Sequence, residues 1–225
     1  MNMSVKLFFD ALIKISLGIL IIFLLVFLPA GTIKFWNGWL FIALLFIPMF
    51  IAGVVMMIKS PDLLRRRLNI KEKESDQKEV IAISGLMFLI GFIVAGLNFR
   101  FNWLQLPNYL VILGSVVFII SYIIYAEVLR ENAFLLRTIE VEKGQKLVDT
   151  GLYGGVRHPM YAATIFLFLS MPLILGSLYS FIIFLIYPFV ISKRIKNEEK
   201  VLEENLKGYK EYKEKVKYKM FPFIW

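Results

Sequence analysis

The chain has 225 residues and a net charge of +9, yet 59% of it is hydrophobic and its mean hydropathy is +0.71. A soluble domain is only about 45–50% apolar, so an ordinary soluble fold is excluded. With no cysteine and one histidine, His158, the chain has no disulfide, no thiolate metal site and no cysteine nucleophile, and too few imidazoles for a metal centre.

A membrane span needs about 20 apolar residues, because the hydrocarbon core is about 30 Å thick and a helix rises about 1.5 Å per residue. The first such run is Ala11–Ala30. Lys6 before it and Lys14 near its start imitate a secretory signal, but the run is long, ends in Pro29 and is followed by further spans, so it reads as a retained helix. The second run is Trp39–Ile58, with Trp36 and Trp39 placed as interfacial aromatics. Between it and the third run, Val80–Leu97, Pro61-Asp62 opens a segment in which Leu63, Leu64 and Leu68 stand beside Arg65, Arg66 and Arg67. An interfacial helix and a solvated loop are both open there. The fourth run is Tyr109–Leu129.

The last apolar region, Met160–Ile191, is too long for one crossing: as a straight helix it would reach about 48 Å. Pro172, Gly176-Ser177 and Pro188 interrupt it, which predicts a hairpin of two helices. Charge agrees. The segments 59–78, 130–157 and 193–219 hold seven, five and ten Lys/Arg, against Lys34 and Arg100 alone in the intervening loops. The positive-inside rule then places both termini and all three basic segments in the cytoplasm. Basic residues interspersed between spans are topogenic, and no nucleic-acid partner is expected. The expected fold is all-α: a polytopic membrane bundle of five to six transmembrane helices with a C-terminal hairpin and a cytoplasmic pocket.

Two stretches carry side chains that could do chemistry. Gly151-Leu-Tyr153-Gly-Gly-Val-Arg157-His158-Pro159-Met160-Tyr161 brings arginine, histidine and two tyrosines to the mouth of the hairpin. Pro159 suits the first turn of a helix, whose free N–H groups favour an anion. An interfacial anchor of basic and aromatic residues is equally compatible with these residue types. After the hairpin, Ile191, Ile195, Leu202 and Leu206 form one stripe at helical spacing with Glu198 inside it. A carboxylate on a buried face needs a partner, and Arg194 stands at i−4. A surface salt bridge and a pair of ligand-binding groups both fit that spacing.

Gly151–Tyr161, Arg194, Glu198-Glu199, Gly208-Tyr209-x-x-Tyr212 and Pro222-Phe-Ile-Trp225 together resemble the isoprenylcysteine carboxyl methyltransferases, part of a membrane-methyltransferase group that includes phospholipid N-methyltransferases. The resemblance covers about Arg137–Trp225, and it divides the chain into N-terminal transmembrane helices (1–136, with the interfacial loop 59–79) and a methyltransferase region (137–225). It implies S-adenosylmethionine as cofactor, held by Gln145, Lys146, Leu147, Val148, Tyr153, Arg157, His158, Pro159, Met160, Tyr161 and Glu198. It implies that Arg194 binds the substrate carboxylate, with Arg194 and Glu198 as the catalytic pair and no metal. Two positions depart from the family: Gln145 stands where eukaryotic members have histidine, and Ala163 replaces a glycine.

The resulting expectation is a multi-pass cell-membrane enzyme that methylates a carboxylate on a lipophilic or lipidated acceptor reaching it from the bilayer. The alternatives are a phospholipid or amine N-methyltransferase, a sterol-reductase-like enzyme using NADPH, and a non-catalytic protein or small transporter. Transport is disfavoured because the spans before residue 160 carry hardly any midplane ionisable groups. The residues do not specify the acceptor or the oligomeric state.

Overall fold

The computed structural model describes residues 3–68, 75–132, 134, 141 and 144–225. Every apolar run folds as a helix: α1 (Met3–Ala30), α2 (Trp36–Lys59), α4 (Ser75–Arg100) and α5 (Asn108–Glu131), with the short α3 (Pro61–Leu68) between α2 and α4. Then come α6 (Leu152–Gly155), α7 (Pro159–Ile174), α8 (Leu178–Phe184), α9 (Tyr187–Asn205) and α10 (Tyr209–Lys215). Among the described residues there is no strand, only one isolated bridge between Gln105 and Ser177. Five segments are long and apolar enough to cross a membrane: four lie in α1, α2, α4 and α5, and the fifth is Leu178–Asn205. The chain is an integral membrane protein.

The Met160–Ile191 region is a hairpin, as its length and breakers predict. α7 runs out, the chain turns at Leu175–Ser177, and α8 with α9 returns. The Ser177 hydroxyl accepts from the Ser180 N–H and starts α8. Polar contacts anchor the turn to the other helices. Asn37 Nδ2 donates to the Ile174 carbonyl at 2.8 Å, the Leu106 N–H to that of Gly176 at 2.9 Å, and Ser180 Oγ to that of Gly91 at 2.8 Å.

α7 packs most extensively along α5. Gly114 makes this possible: a Cβ there would lie 2.7 Å from Leu173 Cβ, so the two backbones approach as small residues allow in membrane bundles. Phe41, Phe92, Phe118, Phe184, Ile174 and Ile195 fill the core between the helices. The outer faces of α1, α2 and α5 stay apolar and exposed, as lipid contact requires.

The segment after Pro61 is a short helix, α3, with Leu63 and Leu64 buried and Arg65 exposed. Lys14 reaches its end, donating to the Leu68 carbonyl. The expected division at 136/137 lies outside the described residues, as do 69–74 of the interfacial loop.

Candidate functional site

At one end of the bundle a short helix, the hairpin mouth and the C-terminal tail enclose a cleft. α6 is only four residues long, too short to sustain itself, and a carboxylate caps it. Glu131, at the end of α5, accepts the Leu152 N–H at 3.0 and 3.2 Å. Gly151 permits this: its φ is +57°, and a Cβ there would lie 1.8 Å from Glu131 Oε1. Only glycine fits. Tyr153, carried on α6, receives a bond from Asn132 Nδ2 at 3.3 Å, and its carbonyl accepts the Tyr212 hydroxyl at 2.7 Å.

The tail is stitched to the hairpin mouth. The N–H groups of Arg157 and His158 donate to the carbonyls of Tyr218 and Lys219 at 2.9 and 2.7 Å. Arg157 Nη1 donates to Val216 and Lys217 carbonyls at 2.6 and 2.9 Å, and its Nε to Glu199 Oε1 at 2.8 Å. His158 Nε2 lies 3.3 Å from the same oxygen, and Lys219 Nζ lies 3.4 Å from Glu199 Oε2. Glu199 is therefore the buried carboxylate, 5% exposed, serving three basic side chains. This corrects the apolar-stripe expectation, which put Glu198 on the buried face. One residue is about 100° around a helix. Ile191, Ile195 and Glu199 turn inward, whereas Glu198, Val201, Leu202 and Leu206 line the cleft. Leu206 is the residue after the helix rather than part of it.

Tyr161 joins Glu198 to Arg194. Its hydroxyl donates to Glu198 Oε2 at 2.5 Å and accepts from Arg194 Nε at 2.9 Å. The ring itself is buried in the core and lies 5.7 Å from that of His158. The i,i+4 pair read from spacing thus has a phenol hydroxyl bonded to both members.

The cleft is partly open to solvent. Gln145, Lys146, Leu147, Val148, Tyr153, Arg157, His158, Pro159, Met160, Tyr161 and Glu198 all line it. Pro159 occupies the first turn of α7, with His158 at its N-cap. Arg194 stands behind Tyr161, outside the lining. Asn132, Phe134 and Val201 also line the cleft, and no motif marks them. Tyr209 and Tyr212, singled out as part of the family resemblance, also line it and pack with Leu206. Burial pushes the phenols of Tyr153, Tyr209 and Tyr212 well above their ordinary pKa. They remain neutral hydrogen-bonding groups at physiological pH. Among the described residues no group of histidine and carboxylate side chains could hold a metal.

A multispan helical membrane protein with a small-molecule cleft built by its C-terminal hairpin, tail and α5–α7 loop is what fold and site define. Residues 109–208 match the phospholipid methyltransferase family, a stretch that begins in α5, ends just before α10 and contains most of the cleft. The chain is also similar to a solved structure of the eukaryotic intramembrane Ras methyltransferase, an isoprenylcysteine carboxyl methyltransferase. That similarity has 17% identity and a TM-score of 0.48, over 100% of this chain and 88% of the other. No curated protein matches in sequence. The cleft-forming stretch resembles a membrane methyltransferase.

Proposed function

We propose that the protein is an S-adenosylmethionine-dependent membrane methyltransferase that methylates a carboxylate on a lipophilic, isoprenylcysteine-like acceptor, working at the cytoplasmic face. One observation carries the reading. The residues singled out by the motif resemblance, separated by up to 53 positions from Gln145 to Glu198, line a single cleft inside the stretch that matches a methyltransferase family. In this reading 137–225 is the methyltransferase region, and 1–136 supplies transmembrane helices and the interfacial segment.

The lining suits the cofactor's chemistry. Its amino group calls for a carboxylate, which Glu198 offers; its adenine and sulfonium call for aromatic faces, which Tyr153 and Tyr161 offer. When bound, S-adenosylmethionine supplies an electrophilic methyl group. A carboxylate acceptor needs no general base, so the side chains work by placement and by excluding water. Arg194 orients the anionic acceptor bidentately, and the Tyr161 hydroxyl keeps Arg194 and Glu198 in register. The match to the phospholipid methyltransferase family is equally compatible with a second reading, an amine phospholipid as acceptor, in which Arg194 would hold no reacting group.

The test is titration of detergent-purified protein with S-adenosylhomocysteine and with NADPH, followed by His158→Ala and Glu198→Ala. S-adenosylhomocysteine should raise the melting temperature of the wild type and bind at least about tenfold more weakly to both variants. Stabilisation by NADPH alone would overturn the proposal in favour of a reductase. Full-rate methylation of an amine lipid by Arg194→Ala would favour the second reading.

A further inference from the structure

We propose that Arg67 of α3 is a second anion-recognition group, which takes the carboxylate or phosphate head of the membrane-borne acceptor. The inference deepens the methyl-transfer reading and rests on it for the word acceptor. The anion site itself stands on the geometry of one side chain.

α3 is held against the bundle by the buried Leu63 and Leu64, and Arg67 turns inward from it. Arg67 Nη1 donates to the Tyr125 hydroxyl at 3.1 Å, with the guanidinium carbon 5.8 Å from the centre of that ring. Nε and Nη2 are sealed from solvent and have no hydrogen-bond partner. Among the described residues no carboxylate forms an ion pair with this arginine. A phenol provides one acceptor and no negative charge, so a partly buried cation keeps two enclosed donors unmet. Such an arrangement is strongly unfavourable unless something supplies the acceptor.

The identity of the unmet atoms gives the ligand. Nε and Nη2 form one edge of the guanidinium, the edge that grips two oxygens of a carboxylate or phosphate with parallel bonds. Tyr125 occupies the other side and leaves that edge free. The charge of Arg67 is felt at the Tyr153 hydroxyl, so it stands close to the cleft, yet it is not part of the lining. Arg194 is also absent from the lining. The α5 helix that carries Tyr125 packs along α7, which carries Tyr161, the partner of Arg194, and this puts the two arginines on one flank. That flank is reached past the short amphipathic helix α3. An oxyanion on a lipid-soluble body is the ligand that fits an edge of this kind beside the bilayer, whereas the cofactor's place is on the cleft side of Tyr153.

The experiment uses the full chain in a non-ionic detergent, with dodecanoate, dodecyl phosphate, dodecanol and dodecyltrimethylammonium as probes. Melting temperature and calorimetric titration are the readouts. Dodecanoate or dodecyl phosphate should stabilise the wild type, and the other two should not. The tighter of the two anions tells whether the head is a carboxylate or a phosphate. In Arg67→Met the anionic probe should bind at least about tenfold more weakly, S-adenosylhomocysteine should bind as before, and the ligand-free protein should melt no lower than wild type. A purely structural arginine would instead lower that melting point and leave probe affinity alone. Equal probe affinity in Arg67→Met, no anion preference in the wild type, or a parallel loss of S-adenosylhomocysteine each overturns the proposal. Should Arg67→Met fail to fold, Arg67→Lys keeps the charge, loses the two-toothed edge, and decides by the same affinity comparison. A wild type that ignores S-adenosylhomocysteine but prefers the anionic probes through Arg67 sinks the methyl-transfer reading and leaves the anion site standing.

Discussion

Tyr161→Phe removes one oxygen and leaves the buried ring packed in the core. Two hydrogen bonds go with it, one given to Glu198 and one received from Arg194. Each involves a charged partner, and such bonds contribute about 1.5–3 kcal/mol. Glu198 and Arg194 are only half-buried, so water can replace part of the loss and the lower figure applies. About 1.5 kcal/mol is roughly a tenfold change in an equilibrium. S-adenosylhomocysteine should therefore bind Tyr161→Phe about tenfold more weakly, through a misplaced Glu198. Methyl transfer should fall further, because Arg194 loses its orientation too. The decisive measurement is a double-mutant cycle of Arg194→Ala with Glu198→Gln, read by calorimetric titration of S-adenosylhomocysteine. With the hydroxyl present the two changes should couple by about 1 kcal/mol, and in the Tyr161→Phe background by less than about 0.5 kcal/mol. Unchanged cofactor affinity in Tyr161→Phe, together with additive effects in both backgrounds, would refute the bridging role.

Neighbouring glutamates should behave differently. Glu199→Gln leaves Arg157 and Lys219 without their carboxylate and should cost about 3–5 kcal/mol, the usual penalty for breaking a buried ion pair. Glu198→Gln should leave the melting temperature nearly unchanged while weakening S-adenosylhomocysteine; thermal melts beside titrations of both variants separate the two roles, and equal melting losses would contradict the assignment. Gly151→Ala puts a Cβ on Glu131 and forces a side chain into a positive-φ backbone. About 1–3 kcal/mol of strain should add to the lost cap on α6, so the variant should melt below Glu131→Ala; a Gly151→Ala protein as stable as wild type would mean the loop is free to rearrange.

The membrane spans were legible because hydropathy is a property of each segment by itself. A run of about 20 apolar residues in water has no stable alternative to crossing a bilayer as a helix. Pro172 and Gly176 likewise marked the hairpin, since a breaker acts on its own neighbours. The 151–161 and 194–198 motifs were readable as residue types, and the fold brings Tyr153, Arg157–Tyr161 and Glu198 to one cleft, with Arg194 bonded to Tyr161 outside its lining. Their partners were not readable. Whether Glu198 or Glu199 is buried depends on a rotation of about 100°, and a stripe of four aliphatic residues does not fix helical phase that closely. The task of Arg157 is set by the Val216 and Lys217 carbonyls, some 60 positions away. Asn132, Glu131 and Arg67 carry no motif and acquire meaning only through Tyr153, Leu152 and Tyr125. Sequence alone determined that this chain is a helical membrane protein, because burying apolar surface is decided segment by segment. Tertiary structure alone decided which charge faces which ligand, because a hydrogen bond exists only where two distant segments bring donor and acceptor within about 3 Å.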